Sequence, residues 1–386
     1  MTDPLDPGTD VALYVHWPYC ARICPYCDFN VVRDRGREGE QAALVEAILA
    51  DLAAQAALIG PRRLASIFFG GGTPSLMAPE AVAAVADRAR ALFPPRGDIE
   101  VTLEANPTDA EADRFAALAR AGVNRLSMGV QALDDASLAF LGRNHSADEA
   151  RRAVDLARSL FPRLSIDLIY ARPGQTPEAW ARELTMALDM GFEHVSPYQL
   201  TIESETAFGR ALRRGTLRPP DEEQAAALYE TTQAVLRRAG FEAYEVSNHA
   251  NGVAARSAHN LHVWRGGDYL GLGPGAHGRL TLGGVRTAAV AHRRIADYVA
   301  GVARQDPWAE REALQARDAA EERLLLGLRT VEGVSRDLLR ALDLSPETAP
   351  LADLIADGFL RLAGERLAAT DRGRPVLDGV LKALLT

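Results

Sequence analysis

The stretch Leu13-Tyr14-Val15-His16-Trp17-Pro18-Tyr19-Cys20-Ala21-Arg22-Ile23-Cys24-Pro25-Tyr26-Cys27 contains all three cysteines of the chain within eight positions. No thiol is left for packing or for a disulfide. Three thiolates neither close a four-ligand zinc site nor fill every corner of a [4Fe-4S] cluster. They can hold a cubane by three irons and leave the fourth open to a small molecule, which points to chemistry at that open corner. The competing reading is a structural zinc ion completed by His16 or by a distant histidine.

The apolar run leading into the cysteines is the first of six. Val11–His16, Leu64–Gly70, Asp98–Glu104, Val123–Met128, Leu164–Tyr170 and His194–Leu200 are short and rich in Val, Ile, Leu or Phe, as buried parallel strands are. Helical patterns separate them over Gln41–Leu58, Ala78–Leu92, Asp109–Ala121, Ala147–Leu160 and Pro177–Met190, and Ser146 with Glu149 reads as a capping box. This alternation predicts an α/β fold, a partial (β/α)6 TIM-like barrel or else a doubly wound sheet, over residues 1–200.

Residues 201–305 read as a central α/β extension. Helices are expected over Glu203–Arg214 and Asp221–Ala239, a strand over Glu242–Ser247, and an irregular glycine-rich tract over Leu270–Leu282. Asp306–Ala316 reads as a linker or joining helix. Residues 306–386 read as a small C-terminal helical, winged-helix-like domain, with three helices and then two short strands around a wing at Gly364-Glu365. Such a shape does not by itself imply DNA binding.

Bulk properties narrow the chemistry. Lys382 is the only lysine among 43 basic residues, which disfavours a P-loop and Schiff-base catalysis. A net charge of −9 argues against a broad nucleic-acid surface. The acidic start Met1–Pro7 lacks the apolar core of a signal peptide, and no uninterrupted apolar run approaches the ~18 residues of a membrane span. With the odd cysteine count, this leads to an expected cytoplasmic location.

The motifs fall at successive strand ends: the cysteines after the first, Gly70-Gly71-Gly72-Thr73-Pro74-Ser75 after the second, Glu104-Ala105-Asn106-Pro107 after the third, and Ser127-Met128-Gly129-Val130-Gln131 after the fourth. Asp167 lies in the fifth. In a parallel barrel these ends share one mouth. Cys-x3-Cys-x2-Cys after a first strand, with a glycine-rich loop after the second, resembles the radical S-adenosylmethionine (radical SAM) superfamily. Val15-His16-Trp17-Pro18, Asp167-Leu168-Ile169-Tyr170, Tyr244-Glu245-Val246-Ser247-Asn248 and Gly273-Pro274-Gly275-Ala276-His277 resemble its oxygen-independent coproporphyrinogen III oxidase group, most of all the HemW branch of haem chaperones.

The resemblance implies a [4Fe-4S] cluster on Cys20, Cys24 and Cys27, with S-adenosylmethionine chelating the open iron and its sulfonium splitting to a 5′-deoxyadenosyl radical. It implies that Gly71, Gly72 and Thr73 meet the methionine end through backbone amides and carbonyls. Glu104 would take ribose hydroxyls or the amino group, Tyr26 the adenine side, and Tyr14 a place beneath the cluster. Gln131, Arg143 and Asp167 match further ligand-contacting positions. The plain readings stay open beside these: a tight βα turn for the glycines, polar strand caps for Glu104, Gln131 and Asp167, and a solvated charge for Arg143. Gly271-Leu272-Gly273-Pro274-Gly275 lacks the spacing of a dinucleotide loop and reads as a structural turn.

Three features favour the haem-carrier branch over the oxidases. Phe29 stands where oxidases have a fourth cysteine, only nineteen residues precede Cys20, and His259-Asn260-Leu261-His262-Val263-Trp264 is similar to the carriers' His-Asn-x-x-Tyr-Trp, with Val263 in place of tyrosine. The resemblance implies haem as the carried ligand, with His259, or in reserve His262, on its iron and Trp264 as an apolar wall. Both histidines could equally be structural. Apo-haemoproteins, including membrane respiratory enzymes, are the expected recipients, with peripheral membrane association and a homodimer carried as expectations. Whether S-adenosylmethionine is cleaved or only bound stays open, as does the alternative of a coproporphyrinogen III dehydrogenase. Ala171-Arg172-Pro173 departs from the group's Gly-Leu-Pro and puts a cation near the expected barrel mouth.

Overall fold

Alternation along the first strand, β1 (Asp10–Trp17), sets up the whole molecule. Val11, Leu13, Val15 and Trp17 face the hydrophobic core, while Tyr14 and His16 face the other way. A computed structural model describes residues 9–95, 97–109 and 112–385. The acidic start and part of the helix expected from Asp109 lie outside them.

After β1, the two-residue strands β2 (Tyr19–Cys20) and β3 (Val32–Arg33) pair in parallel and bracket the cysteine loop. Then come α1 (Glu38–Ile59), β4 (Arg63–Gly71), α2 (Pro79–Leu92), β5 (Glu100–Ala105), α3 (Ala112–Arg120), β6 (Arg125–Gln131), α4 (Asp135–Phe140), α5 (Ala147–Leu160), β7 (Arg163–Tyr170), α6 (Pro177–Leu188) and β8 (His194–Gln199). The six long strands β1, β4, β5, β6, β7 and β8 pair in parallel in that order, as the alternation predicts. Ser146 caps α5 with the full capping box. By length and composition α1 could cross a bilayer, but Leu44, Ile48 and Leu52, with the polar Asp51 and Gln55, are buried in the core.

The chain continues through α7 (Ala207–Arg213), α8 (Glu222–Arg238), β9 (Glu242–Ala243), β10 (His249–Ala250), α9 (Ala258–Trp264), β11 (Asp268–Leu272), β12 (His277–Leu282), β13 (Val285–Ala291), α10 (Ile295–Ala303) and β14 (Trp308–Ala313). All of these strands join the same twelve-stranded sheet. Three expectations need correction here. Leu270–Leu282 is not irregular: β11 adds parallel to β1, and β12 returns antiparallel. Its glycines serve close backbone approach, since a Cβ at Gly271 would lie 2.1 Å from the His277 carbonyl oxygen. Asp306–Ala316 contains no helix before Ala316; β14 is an edge strand whose exposed Glu310, Arg311 and Glu312 give it a helix-like charge pattern. Only Glu242–Ala243 of Glu242–Ser247 pairs as a strand, because the Tyr244 amide bonds the Asn248 carbonyl across a turn.

Helix α9 lies against β4, near the N-terminal ends of the strands, and is fastened there by Glu100. That buried carboxylate accepts from the amides of Ala258 (3.0 Å) and His259 (3.0 Å) and pairs with Arg163 at 2.8 Å. Burial opposes its charge, yet Arg125 and Arg163 hold its pKa below the ordinary value.

The C-terminal module has its own core. It comprises α11 (Ala316–Leu328), β15 (Val334–Ser335), α12 (Arg336–Ala341), α13 (Leu351–Ala356), β16 (Leu360–Ala363), β17 (Arg366–Ala369) and α14 (Leu377–Leu385), with the strands ordered β15-β17-β16. The expected helices and wing are present, and α14 follows them. Arg329 ties the module to Glu245 of the body at 3.1 Å.

Candidate functional site

At the C-terminal ends of the parallel strands lies a cavity of about 400 Å³. Cys20, Cys24 and Cys27 all line it, with Tyr26, Gly71, Gly72, Thr73, Glu104, Gln131, Arg143 and Asp167. Residues more than a hundred positions apart therefore meet, as the strand-end placement predicts. None of the three cysteines forms a disulfide. Burial, together with Cys20 and Cys24, pushes the Cys27 thiol up to about 11, so a metal centre there has to displace protons as it binds.

Arg143 is central to this site. Its guanidinium donates to Cys24 Sγ at 3.5 Å, to the Gly129 carbonyl at 2.8 Å and to Asn106 Oδ1. Asn106 in turn donates to Thr73 Oγ1 at 3.1 Å. The Arg143 Nε is buried without a partner. A cation held against thiolates suits an anionic metal–thiolate cluster. Gln131 has φ 68° at a bulge between β6 and β7; this left-handed conformation in a non-glycine residue is the kind of strain found at ligand sites.

The glycine turn is held by the chain itself. Gly72 N–H donates to the Trp17 carbonyl (2.7 Å), Thr73 N–H to the Tyr19 carbonyl (2.9 Å), and Gly71 N–H to Glu104 Oε2 (3.1 Å). A Cβ at Gly72 would lie 2.7 Å from the Tyr19 carbonyl oxygen. These amides are committed, so of the amides and carbonyls expected to meet the ligand the turn offers its carbonyl oxygens, which suits an ammonium group. Two carboxylates face the same space, and among the described residues neither makes a salt bridge, although Arg125 and Arg143 act on Asp167 from a distance. Burial and the neighbouring Asp167 push Glu104 up to about 8, and burial pushes Asp167 up to about 6. Ser127 donates to Asp167 at 3.3 Å. Thiols, a guanidinium, carbonyls and two carboxylates outside any salt bridge among the described residues fit a three-thiolate cluster and a cationic amino-acid ligand. The zinc alternative finds no completing ligand among the described residues: both His16 ring nitrogens are engaged, Nε2 with the Asn30 carbonyl at 2.8 Å and Nδ1 with Tyr14 Oη at 3.1 Å, and no histidine lines the first cavity.

A second cavity of about 670 Å³ shares Asp28, Phe29, Gly71 and Glu104 with the first. Its walls include Phe68, Val263, Trp264 and Val290, and its volume falls within the ~300–1,000 Å³ of ligand pockets. Tyr14 lines this cavity and not the first; it stacks on Phe68 at 6.2 Å, because its β1 face turns toward α9. His259 also lines the second cavity. Its Nδ1 shares a 2.9 Å hydrogen bond with Ser66 Oγ, its ring lies 5.0 Å from that of Phe68, and burial lowers its pKa to about 4. The imidazole is therefore neutral at pH 7, the form that binds metals. His262 lines neither cavity, and its Nε2 bonds the Asp268 carbonyl at 2.8 Å. Trp264 contributes to the wall, and its buried Nε1 has no hydrogen-bond partner.

Arg172 lines neither cavity. It is buried in a bidentate pair with Glu183 of α6. Asn106, Ser127 and Tyr198 also line the first cavity. Asn106 and Ser127 lie inside the motifs quoted above and could have been read from them; Tyr198 carries no motif.

A model of the radical SAM superfamily matches residues 14–187, and one of the HemN C-terminal domain matches residues 314–376. The chain is 41% identical to the mouse mitochondrial radical S-adenosyl methionine domain-containing protein 1, over 99% of this chain and 89% of that protein. It is 35% identical to the heme chaperone HemW of Escherichia coli, covering 97% and 98% of the two chains. For HemW of Mycobacterium tuberculosis the identity is 37%, over 98% and 96%. The structure of E. coli coproporphyrinogen III oxidase, HemN, superposes with TM-score 0.82 at 22% identity, covering 98% of this chain and 91% of that one.

Proposed function

The chain belongs to the radical SAM superfamily, in the branch that contains the HemW heme chaperones, and on that premise we propose that it binds haem in its second cavity and delivers it to apo-haemoproteins. The observation that carries this reading is His259, a neutral imidazole on the wall of a largely apolar cavity. The names of the relatives support the same cargo.

In the first cavity Cys20, Cys24 and Cys27 would hold the [4Fe-4S] cluster. When bound, the cluster would supply one-electron reducing chemistry. The turn at Gly71–Thr73 would accept the ammonium group, Glu104 and Asp167 would balance the ligand's positive charge, Tyr26 would border the adenine, and Arg143 would offset the thiolates. This arrangement sets a pH dependence. Glu104 and Asp167 hold protons to about 8 and about 6, above their ordinary values, and a cationic ligand needs them ionised. S-adenosylmethionine affinity should therefore rise with pH between 6 and 8, by up to about tenfold per unit for each proton displaced, and level off above 8. Calorimetric titration in buffers of different ionisation heat checks both the slope and the proton release; a flat profile would contradict the charge assignment.

The function itself is tested anaerobically with cluster-reconstituted protein. Haem titrated into it should give a saturable change in the Soret band, and the loaded protein should pass haem to an apo-haemoprotein. The oxidase fold raises a second reading, dehydrogenation of coproporphyrinogen III. Formation of protoporphyrinogen IX on adding S-adenosylmethionine and coproporphyrinogen III would replace the chaperone reading with that one.

A further inference from the structure

The two cavities are joined by one short run of chain. Cys27 lines the first cavity, Asp28 and Phe29 line both, and Asn30 lines the second. Asn30 is the clasp of this run. Its Nδ2 donates to the Pro274 carbonyl at 2.8 Å and to the Arg293 carbonyl at 2.9 Å. Its own carbonyl meets His16 Nε2 at 2.8 Å. Gly275, on the loop that Asn30 grips, has no room for a side chain: a Cβ would lie 2.7 Å from Asn30 Nδ2. Gly275 and Arg293 both line the second cavity. The segment carrying the third cysteine is thus bolted to the far wall of the haem space.

We propose that Asn30 is a positioning residue that couples the two cavities, so that S-adenosylmethionine in the first tightens haem binding in the second. The inference rests on the cofactor and haem readings above. A ligand that fixes the Cys27–Asn30 run from one side also fixes the wall that the other ligand must order, so the second ligand meets a smaller entropic cost. The coupling is reciprocal by thermodynamic necessity: haem must tighten S-adenosylmethionine by the same factor.

The test uses the full chain with its cluster reconstituted. Haem is titrated anaerobically, with and without saturating S-adenosylmethionine, and followed by absorbance. The expected result is about tenfold tighter haem binding with the sulfonium present, and the same factor in the reverse titration. Asn30→Asp keeps the size and removes both donated bonds. In that variant the ratio should fall to about one, within the reach of such coupling energies, while iron content, sulfide content and S-adenosylmethionine affinity stay unchanged. Equal haem affinity under both conditions in the unaltered protein overturns the coupling and leaves the haem reading standing. No haem uptake under either condition overturns both. An Asn30→Asp variant that keeps the full ratio, or that loses its cluster, overturns the assignment to Asn30.

Discussion

Serine at Cys20, Cys24 or Cys27 should empty the first cavity of the iron and labile sulfide proposed for it. The expected loss exceeds the ~10–100-fold that removing an outer-shell partner of a metal costs, because a soft thiolate ligand itself disappears. Each position is separately fixed. Cys20 sits in β2, where its carbonyl accepts from the Asp34 amide at 2.8 Å, and Cys24 and Cys27 close a turn at 3.2 Å. None can drift to cover for another, and the chain has no other cysteine. Iron and sulfide analysis with electron paramagnetic resonance on anaerobic protein reads the result. Metal loading that survives the triple alanine variant, or zinc in place of iron, would sink the cluster assignment.

On the haem reading, alanine at His259 removes the proposed iron ligand. The Soret band of the complex should shift or vanish, and haem affinity should fall by more than the ~10–100-fold of an outer-shell loss. Ser66→Ala should lie within that range, because the hydroxyl sets only the tautomer and orientation of the ring through its 2.9 Å bond to Nδ1. His262→Ala should leave the spectrum intact and lower the melting temperature, since its Nε2 is a tie to the Asp268 carbonyl. This three-way pattern separates ligand, orienter and structural histidine. An unchanged spectrum in His259→Ala would remove the central support of the haem reading.

The core strands, the helices between them and the gathering of the motifs at one mouth were legible because each is written locally. Apolar runs of six or seven residues bounded by turn formers are hard to read as anything but buried parallel strands. The edges of the sheet were not legible in the same way. In β11 and β12 the glycines that mark loops elsewhere are demanded by backbone approach between strands, and β14 carries the alternating charges of an exposed edge. The site divides similarly. Glu104, Asp167 and the cysteines announce themselves by type and position. The engagement of Arg172 by Glu183, the clasp made by Asn30 and the turning of Tyr14 into the second cavity depend on which partner arrives from a distant element.

The tightness at Gly71 and Gly72 carries a lesson about what endures in such a chain. Side chains are barred there by the His16 ring and by the carbonyls of Trp17 and Tyr19, obstacles that belong to the scaffold and not to any guest molecule. A descendant that abandoned its chemistry would keep those glycines for as long as it folded. Glu104 and Asp167 tell the opposite story: ionised in a buried site they work against the native state, and in an idle protein drift toward amides or apolar residues would be rewarded. It is these two uncomfortable acids, rather than the glycine run, that mark a working site.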